Sequence, residues 1–138
     1  ASPAVLTSAI ARHRELTADE GRAGAVRYGV RLSVLAREFT AEAWRDARRL
    51  WDTVSPGDAI GFDALRADHD HWTGFARTGH AVGSGVVGSF DEVADHFRRL
   101  AQLGIDVFVI DALPHLEEAY RFGEHIRPRL AASLAVVE

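Results

Sequence analysis

A polar face on a strand-like segment holds the first residues of this sequence that could do chemistry. Residues 26–35 alternate in part and are rich in β-branched side chains, which predicts a strand. On such a strand Gly29, Arg31, Ser33 and Leu35 share one face. A guanidinium near the C-terminal end of a strand can hold a sulfonate or another oxyanion through forked hydrogen bonds. We therefore interpret Arg31 as an anion-binding residue, with a structural salt bridge as the alternative.

Two further candidates follow a second apolar segment. Residues 105–110 are nearly all apolar, as in a buried parallel strand, and Asp111 comes directly after them. A carboxylate at that end of a strand either faces the active site of an α/β barrel or caps the next helix. Pro114 opens this helix, and His115 lies in its first turn, where the helix dipole disfavours the imidazolium form. A neutral His115 either exchanges a hydrogen bond with a ligand or caps or packs the helix.

Several charged segments have a simpler interpretation. Residues 68–71 read Asp-His-Asp-His, but neighbouring positions do not converge on one side of a helix and no third ligand is predicted nearby. We expect a solvated surface segment there and no metal site. The pairs 48–49, 98–99 and 117–118 are likewise predicted to be solvated helix faces. The chain has no cysteine, which excludes disulfides, thiolate catalysis and cysteine-based zinc sites within it.

Strands that alternate with amphipathic helices must position these candidates. In the first half of the chain the patterns predict a helix over 3–20, the strand 26–35 and a helix over 41–53. A less regular stretch follows, with a short helix within 58–69 and a mobile loop over 74–85. The last third is predicted to hold a strand over 85–88, a helix from the capping box Ser89/Glu92 to Gly104, the strand 105–110 and a helix from Pro114. This order predicts βαβ units and a parallel sheet in one α/β domain over residues 1–138.

Composition narrows the class of protein. Of 138 residues, 47% are hydrophobic and 26% are charged, as in an ordinary globular protein. No apolar run approaches the roughly 20 residues of a membrane span, and the net charge of −4 does not favour nucleic acid or an anionic membrane. We expect a cytoplasmic protein. Residue 1 is Ala, so that either an initiator Met was removed or the chain is a piece of something longer.

The last third of the chain carries a resemblance to a known family. Residues 103–110, Leu-Gly-Ile-Asp-Val-Phe-Val-Ile, lead into residues 114–121, Pro-His-Leu-Glu-Glu-Ala-Tyr-Arg. This succession resembles the end of the alkanesulfonate monooxygenases, which are bacterial-luciferase-like flavin monooxygenases. Residues 27–32, 36–38 and 42–44 resemble the same family. The resemblance implies a partial (β/α)8 TIM barrel, about strands six to eight with their helices, since a whole barrel takes roughly 250 residues.

The resemblance also implies an oxidoreductase chemistry and a set of site residues. Reduced FMN, supplied by a partner flavin reductase, would serve to oxidise an alkanesulfonate or a similar small organic substrate. Arg31 matches an active-site arginine and His115 is retained, so both are predicted to be catalytic. Ser33 stands where the family usually has a histidine, Leu113 where it has an active-site tyrosine, and Asp111 where it has a small hydroxyl residue. We expect these three to line the cofactor or substrate site.

A loop completes the implied site. Residues 72–88 match the spacing of the family's mobile loop, which carries an arginine that closes over the bound flavin. That spacing places Gly79 at the position of the arginine, with Arg77 and His80 close enough to substitute for it. The glycines around these residues permit the loop to open and close.

The departures at residues 33 and 113 leave two functional hypotheses. In the first, the chain is part of a flavin-dependent monooxygenase and is inactive by itself. In the second, it is a non-catalytic half-barrel that binds flavin or a small ligand without turnover. A half-barrel would expose strand edges and an apolar face, so that it would need either a second copy of itself or a separate N-terminal half to cover them.

Overall fold

The computed structural model of the chain describes residues 3–19 and 26–131. Its elements are α1 (Pro3–Asp19), β1 (Gly29–Arg37), α2 (Thr40–Val54), α3 (Ala59–Ala64), β2 (His71–Trp72), a 3₁₀ helix (Gly74–Arg77), β3 (Gly85–Ser89), α4 (Phe90–Gln102), β4 (Val107–Asp111), α5 (His115–Arg121), a π-helical turn (Phe122–Ile126) and α6 (Arg127–Ala131). The predicted alternation of helices and strands is confirmed. The predicted end of the first helix at residues 20–24 lies outside the described residues.

The sheet has four strands in the order β2-β3-β1-β4. β1 pairs in parallel with β4 through its first half, Gly29–Ser33, and with β3 through its second half, Ser33–Arg37. β2, which the sequence did not predict, pairs antiparallel with β3. A barrel wound strictly in chain order would place β3 between β1 and β4. Here β3 lies on the other side of β1 from β4. The segment from α2 to β3, which lies between β1 and α4 in the chain, is here called the inserted segment.

Apolar side chains on both faces of the sheet explain where the helices pack. Leu32 and Val34 point to the face that α1, α4 and α6 cover, and they share a buried cluster with residues of those helices. Leu35 and Val87 point to the other face and pack against α2, α3 and the 3₁₀ helix. In α2, Ala43, Ala47 and Trp51 recur about once per turn, and all three are fully buried.

Side-chain hydrogen bonds begin two of the helices. α4 starts with the predicted capping box, in which the Ser89 hydroxyl accepts from Glu92 N and Glu92 Oε1 accepts from Ser89 N. α3 starts at Asp58, whose carboxylate accepts a hydrogen bond from Gly61 N at 2.8 Å. α2 starts after Phe39 without a side-chain cap, and the Thr40 hydroxyl bonds the Glu92 carboxylate instead. This bond ties the beginning of α2 to the beginning of α4.

One part of the sheet is left uncovered by the described residues. On the face that carries Gly29 and Arg31, the neighbouring β4 residues Val107 and Val109 are 42% and 48% exposed. The opposite side of the same strands packs on α4. Parallel strands with helices outside and an open inner face are the arrangement of a partial (β/α) barrel. No described helix is long and apolar enough to cross a membrane.

The contact between β1 and β3 is close enough to require a glycine. An ideal Cβ built on Gly85 would lie 1.9 Å from the backbone oxygen of Ser33. Ser33 N also donates a hydrogen bond to Ser84 O at 3.1 Å. The beginning of β3 is therefore pressed directly onto the middle of β1, which fixes the loop before β3 against the strand that carries Arg31.

The expectation that residues 117–118 form a solvated pair is wrong for Glu118. Its side chain is 4% exposed and forms salt bridges with Arg37 at 2.9 Å and with Arg121 at 2.8 Å. Arg37 also binds Asp46 of α2 at 2.8 Å. Burial of a carboxylate is tolerated here because two guanidinium groups neutralise it. The network joins the end of β1 to both α2 and α5.

Candidate functional site

The register between β1 and β4 brings three predicted site residues to one face. Arg31 lies beside Val109, and Ser33 lies beside Asp111. Arg31 was expected near the C-terminal end of its strand, but β1 runs on to Arg37, so Arg31 lies near the beginning of β1. Arg31 is exposed, and it makes no hydrogen bond or ion pair with any residue that the structure describes. The salt-bridge alternative for Arg31 therefore finds no support within residues 3–19 and 26–131. A guanidinium held on a rigid strand is available to an anionic ligand.

The segment 78–84, here called the site loop, is fastened to the middle of β1 and to the end of β4. The Ser33 hydroxyl donates to Val82 O at 2.6 Å, and Ala81 N donates to Asp111 Oδ2 at 2.8 Å. Gly79 has a φ of +89°, which favours glycine, and a Cβ there would lie 3.8 Å from Leu113 Cδ1. The structure thus brings together Ser33, Gly79, Asp111 and Leu113. Asp111 binds the site loop and does not cap α5, which begins after Pro114 without a side-chain cap.

His80 is the buried member of the site loop. The residue is 7% exposed, and its ring meets the ring of Phe75 edge-on with centroids 4.8 Å apart. Its Nδ1 lies 3.0 Å from the Thr78 hydroxyl oxygen, while its Nε2 is buried and has no hydrogen-bond partner among the described residues. Burial lowers the pKa of His80 below its ordinary value of 6.5, and the nearby Asp111 carboxylate opposes this effect. His80 is therefore a neutral imidazole at neutral pH.

Arg77 does not join the other candidates. Its guanidinium lies 5.6 Å from the centre of the Trp51 ring in α2. A guanidinium on an aromatic face is held by cation–π attraction. In this arrangement Arg77 anchors the 3₁₀ helix to α2, and it is His80, of the two predicted substitutes, that the site loop holds near the strand ends.

His115 lies at the rim of a separate cavity. The cavity has a volume of about 360 Å³ and lies between α5 and the apolar strand residues Val34, Ala36 and Ile110. His115, Glu118 and Arg121 supply its polar lining. His115 is exposed, and it lies close enough to His80 to contribute to the lowering of the His80 pKa. The structure therefore places His115 near the site loop but on the face of the sheet that packs on α4, opposite to Arg31.

The charged segment 68–71 is only partly solvated, which corrects the expectation for Asp70. The Asp70 side chain is 3% exposed and binds Arg99 Nη2 at 2.6 Å and His96 Nδ1 at 3.2 Å. Burial by itself would raise the pKa of Asp70, but the hydrogen bond from His96 and the charges of His96, His69 and Arg99 lower it to about 2. Oxygen and nitrogen atoms of Asp68, His69 and Asp70 lie within 4.8 Å of one another. With these partners, Asp70 serves as an ion-pair anchor between the inserted segment and α4.

Comparisons with known proteins place the fold beside a flavin enzyme. No protein-family model matches the chain. Among solved structures, riboflavin lyase RcaE, determined with a modified FMN and its substrate riboflavin, superposes with a TM-score of 0.67 at 19% sequence identity. The match covers 96% of this chain and 37% of that protein, so the chain spans about a third of its length. This likeness confirms the predicted fold class, a partial α/β barrel.

Proposed function

We propose that this chain forms the C-terminal part of the barrel of a two-component monooxygenase. Such an enzyme uses reduced FMN from a flavin reductase and oxidises an alkanesulfonate or a similar small organic substrate. The observation that carries the proposal is the exposed Arg31, which lies on the open inner face two residues before Ser33, and Ser33 and Asp111 hold the site loop. The fold likeness to an enzyme that holds a modified FMN supports the flavin part of the proposal.

The residues at this face fit a flavin. FMN carries a phosphate and ring and ribityl groups that donate hydrogen bonds. Arg31 offers an anionic group, whether phosphate or sulfonate, a guanidinium that binds no described residue, and the buried Nε2 of His80 has no hydrogen-bond partner among the described residues. Reduced FMN, when bound, supplies the electrons that activate oxygen.

Within this proposal the chain's own residues bind and position. Arg31 would hold an anion by forked hydrogen bonds. Ser33 cannot exchange a proton near neutral pH, and it fastens the site loop through its bond to Val82 O. Asp111 fastens the same loop one strand away through Ala81 N. The loop would thereby keep water away from the strand ends on which ligand and cofactor meet.

Replacement of Arg31 tests the proposal. We expect Arg31→Ala to weaken FMN binding by about 1.5–3 kcal/mol, the contribution of a charge-assisted hydrogen bond, as measured by quenching of flavin fluorescence. Thermal stability should stay unchanged, because Arg31 binds no described residue. Arg45→Ala, which removes an exposed arginine from α2, is the matched control. Unchanged FMN binding together with a lower melting temperature would instead assign Arg31 a structural role.

A second candidate function is a non-catalytic half-barrel that pairs with another chain and binds flavin without turnover. Two features favour it, namely the exposed Val107 and Val109 and the outer edge of β4, which pairs with no described strand. Light scattering on the 138-residue chain separates the candidates. A stable dimer that binds FMN but does not oxidise an alkanesulfonate with added reduced FMN favours the second. A monomer that gains this activity when mixed with an N-terminal half-barrel favours the first.

A further inference from the structure

The hydrogen bonds of Thr78 determine which nitrogen of His80 carries the proton. The Thr78 hydroxyl oxygen lies 3.0 Å from Phe75 O and 3.0 Å from His80 Nδ1. A carbonyl oxygen only accepts, so a hydroxyl that bonds both neighbours donates its single hydrogen to Phe75 O, which also accepts from Thr78 N at 3.1 Å. The alternative is a hydroxyl that donates to His80 Nδ1 and leaves Phe75 O to Thr78 N alone, and the tautomer measurement below distinguishes the two. In the arrangement that bonds both neighbours, the hydroxyl oxygen can interact with His80 Nδ1 only as an acceptor. His80 Nδ1 therefore carries the hydrogen, and in the neutral ring Nε2 carries a bare lone pair.

That lone pair lies in an unusual position for a polar atom. His80 is more than nine-tenths buried, and Nε2 has no partner among the described residues. Buried acceptors are normally satisfied, because an unpaired one retains the full penalty of leaving water. Of the flanking residues, Ala81 N donates to Asp111 Oδ2 at the end of β4, and Gly79 lies near Leu113, which follows β4, so that a Cβ on Gly79 would be 3.8 Å from Leu113 Cδ1. His80 is thus held between two points of attachment to the open end of the sheet.

The geometry points to His80 as a ligand-binding residue that accepts a hydrogen bond through Nε2 from an N–H or O–H donor of the bound flavin, with Thr78 as the positioning residue that sets the tautomer. This inference rests on the proposed flavin site and adds to it the identity and polarity of one contact. The donors that a flavin offers are the imide N–H of its ring and the hydroxyls of its ribityl chain. Arg31 and His80 would then recognise opposite kinds of group, an anion and a neutral donor.

The tautomer can be measured without any ligand. Long-range ¹H–¹⁵N correlation spectra of ¹⁵N-histidine-labelled chain distinguish Nδ1–H from Nε2–H rings, and the six other histidines serve as internal references. We expect the Nδ1–H form for His80 and its loss in Thr78→Val, with Thr78→Ser restoring it. An Nε2–H ring in the unaltered chain would overturn the inference, whatever the result with flavin.

Binding of FMN tests the contact itself. We expect His80→Leu to weaken FMN binding about tenfold, the factor that one net hydrogen bond gives, and His80→Gln, whose amide oxygen still accepts, to retain most of it. Thr78→Val should weaken binding to a similar extent and Thr78→Ser should not. Amide spectra and melting temperatures of the variants show that each is folded. With 3-methyl-FMN, loss of the His80 dependence identifies the imide as the donor, and its retention identifies a ribityl hydroxyl.

The outcomes separate the inference from the proposed function. If the unaltered chain and His80→Leu bind FMN equally well, Nε2 faces only a buried water and the inference is overturned, while the flavin site stands. If the unaltered chain binds no FMN, the proposed flavin site fails and this contact fails with it.

Discussion

Asp70 provides a test of how the inserted segment is held to the rest of the fold. Its carboxylate is buried between His96 and Arg99 of α4, and its own backbone oxygen accepts a hydrogen bond from Val87 N at 2.8 Å. Lowering its pKa from 3.8 to about 2 corresponds to roughly 2 kcal/mol of folding stability at neutral pH. Because the Arg99 side chain is 52% exposed, solvent screening reduces this to about 1–2 kcal/mol. We predict that Asp70→Asn loses this amount.

The pH dependence identifies the carboxylate as the cause. A carboxyl whose folded pKa is below its unfolded value contributes its full stability above about pH 5 and loses it as the pH falls through about 4 toward 2. Urea unfolding from neutral pH down to about pH 3 should therefore show the difference between the unaltered chain and Asp70→Asn shrinking with acid. Asp63→Asn, at an exposed position of α3, is the control. A difference of the same size at every pH, or none at neutral pH, would refute the ion-pair explanation.

Two further substitutions test the packing around the site. Gly85→Ala should lower the free energy of unfolding by about 1–3 kcal/mol, because the added Cβ would collide with the backbone of Ser33. Gly123→Ala, whose Cβ would meet nothing within 4 Å, should not lower it, and chemical denaturation compares the two variants. Glu118→Gln should cost about 1–3 kcal/mol, because Arg37 loses one of its two carboxylate partners and the Arg121 side chain, 43% exposed, stays screened by solvent. Glu117→Gln at an exposed position should have little effect on the melting temperature. Equal effects of the two members of either pair would contradict the packing described.

Local patterns predicted the elements of this fold because each pattern has a local physical cause. The capping box at Ser89 and the periodic alanines of α2 place helices by bonds and packing within a few residues. The same patterns hold no information about pairing between distant strands. β2 has two residues, too few for an alternating pattern, and the position of β3 outside the β1–β4 pair depends on contacts across the whole sheet. Element order was therefore predictable, and strand order was not.

Burial of charged residues was the main error of the sequence-based expectations. Glu118 and Asp70 belong to charged runs that resemble solvated helix or loop surfaces. Each becomes buried because arginines far away in sequence neutralise it, Arg37 in one case and Arg99 in the other. Such pairs have no sequence spacing of their own. The presence of a carboxylate in a charged run of the sequence is therefore weak evidence that its side chain is exposed.

In the candidate site, too, the sequence predicted which residues share a strand face but not the contacts between distant residues. The alternating strand predicted that Arg31 and Ser33 share a face, and the register with β4 adds Asp111 to that face. Thr78 gave no signal in the sequence, although its hydroxyl sets the tautomer of His80. Ser33 stands where the resembling family has a histidine, and this departure was one reason for the hypothesis of a non-catalytic half-barrel.

The structure assigns that serine a different role. Its hydroxyl holds Val82 at 2.6 Å, and the loop so fastened carries the buried imidazole of His80. A histidine at position 33 would have to give up this short hydroxyl contact, because its ring nitrogens lie farther from the backbone. The Ser33→Ala variant should accordingly loosen the site loop and weaken FMN binding together, although Ser33 itself need not touch the flavin.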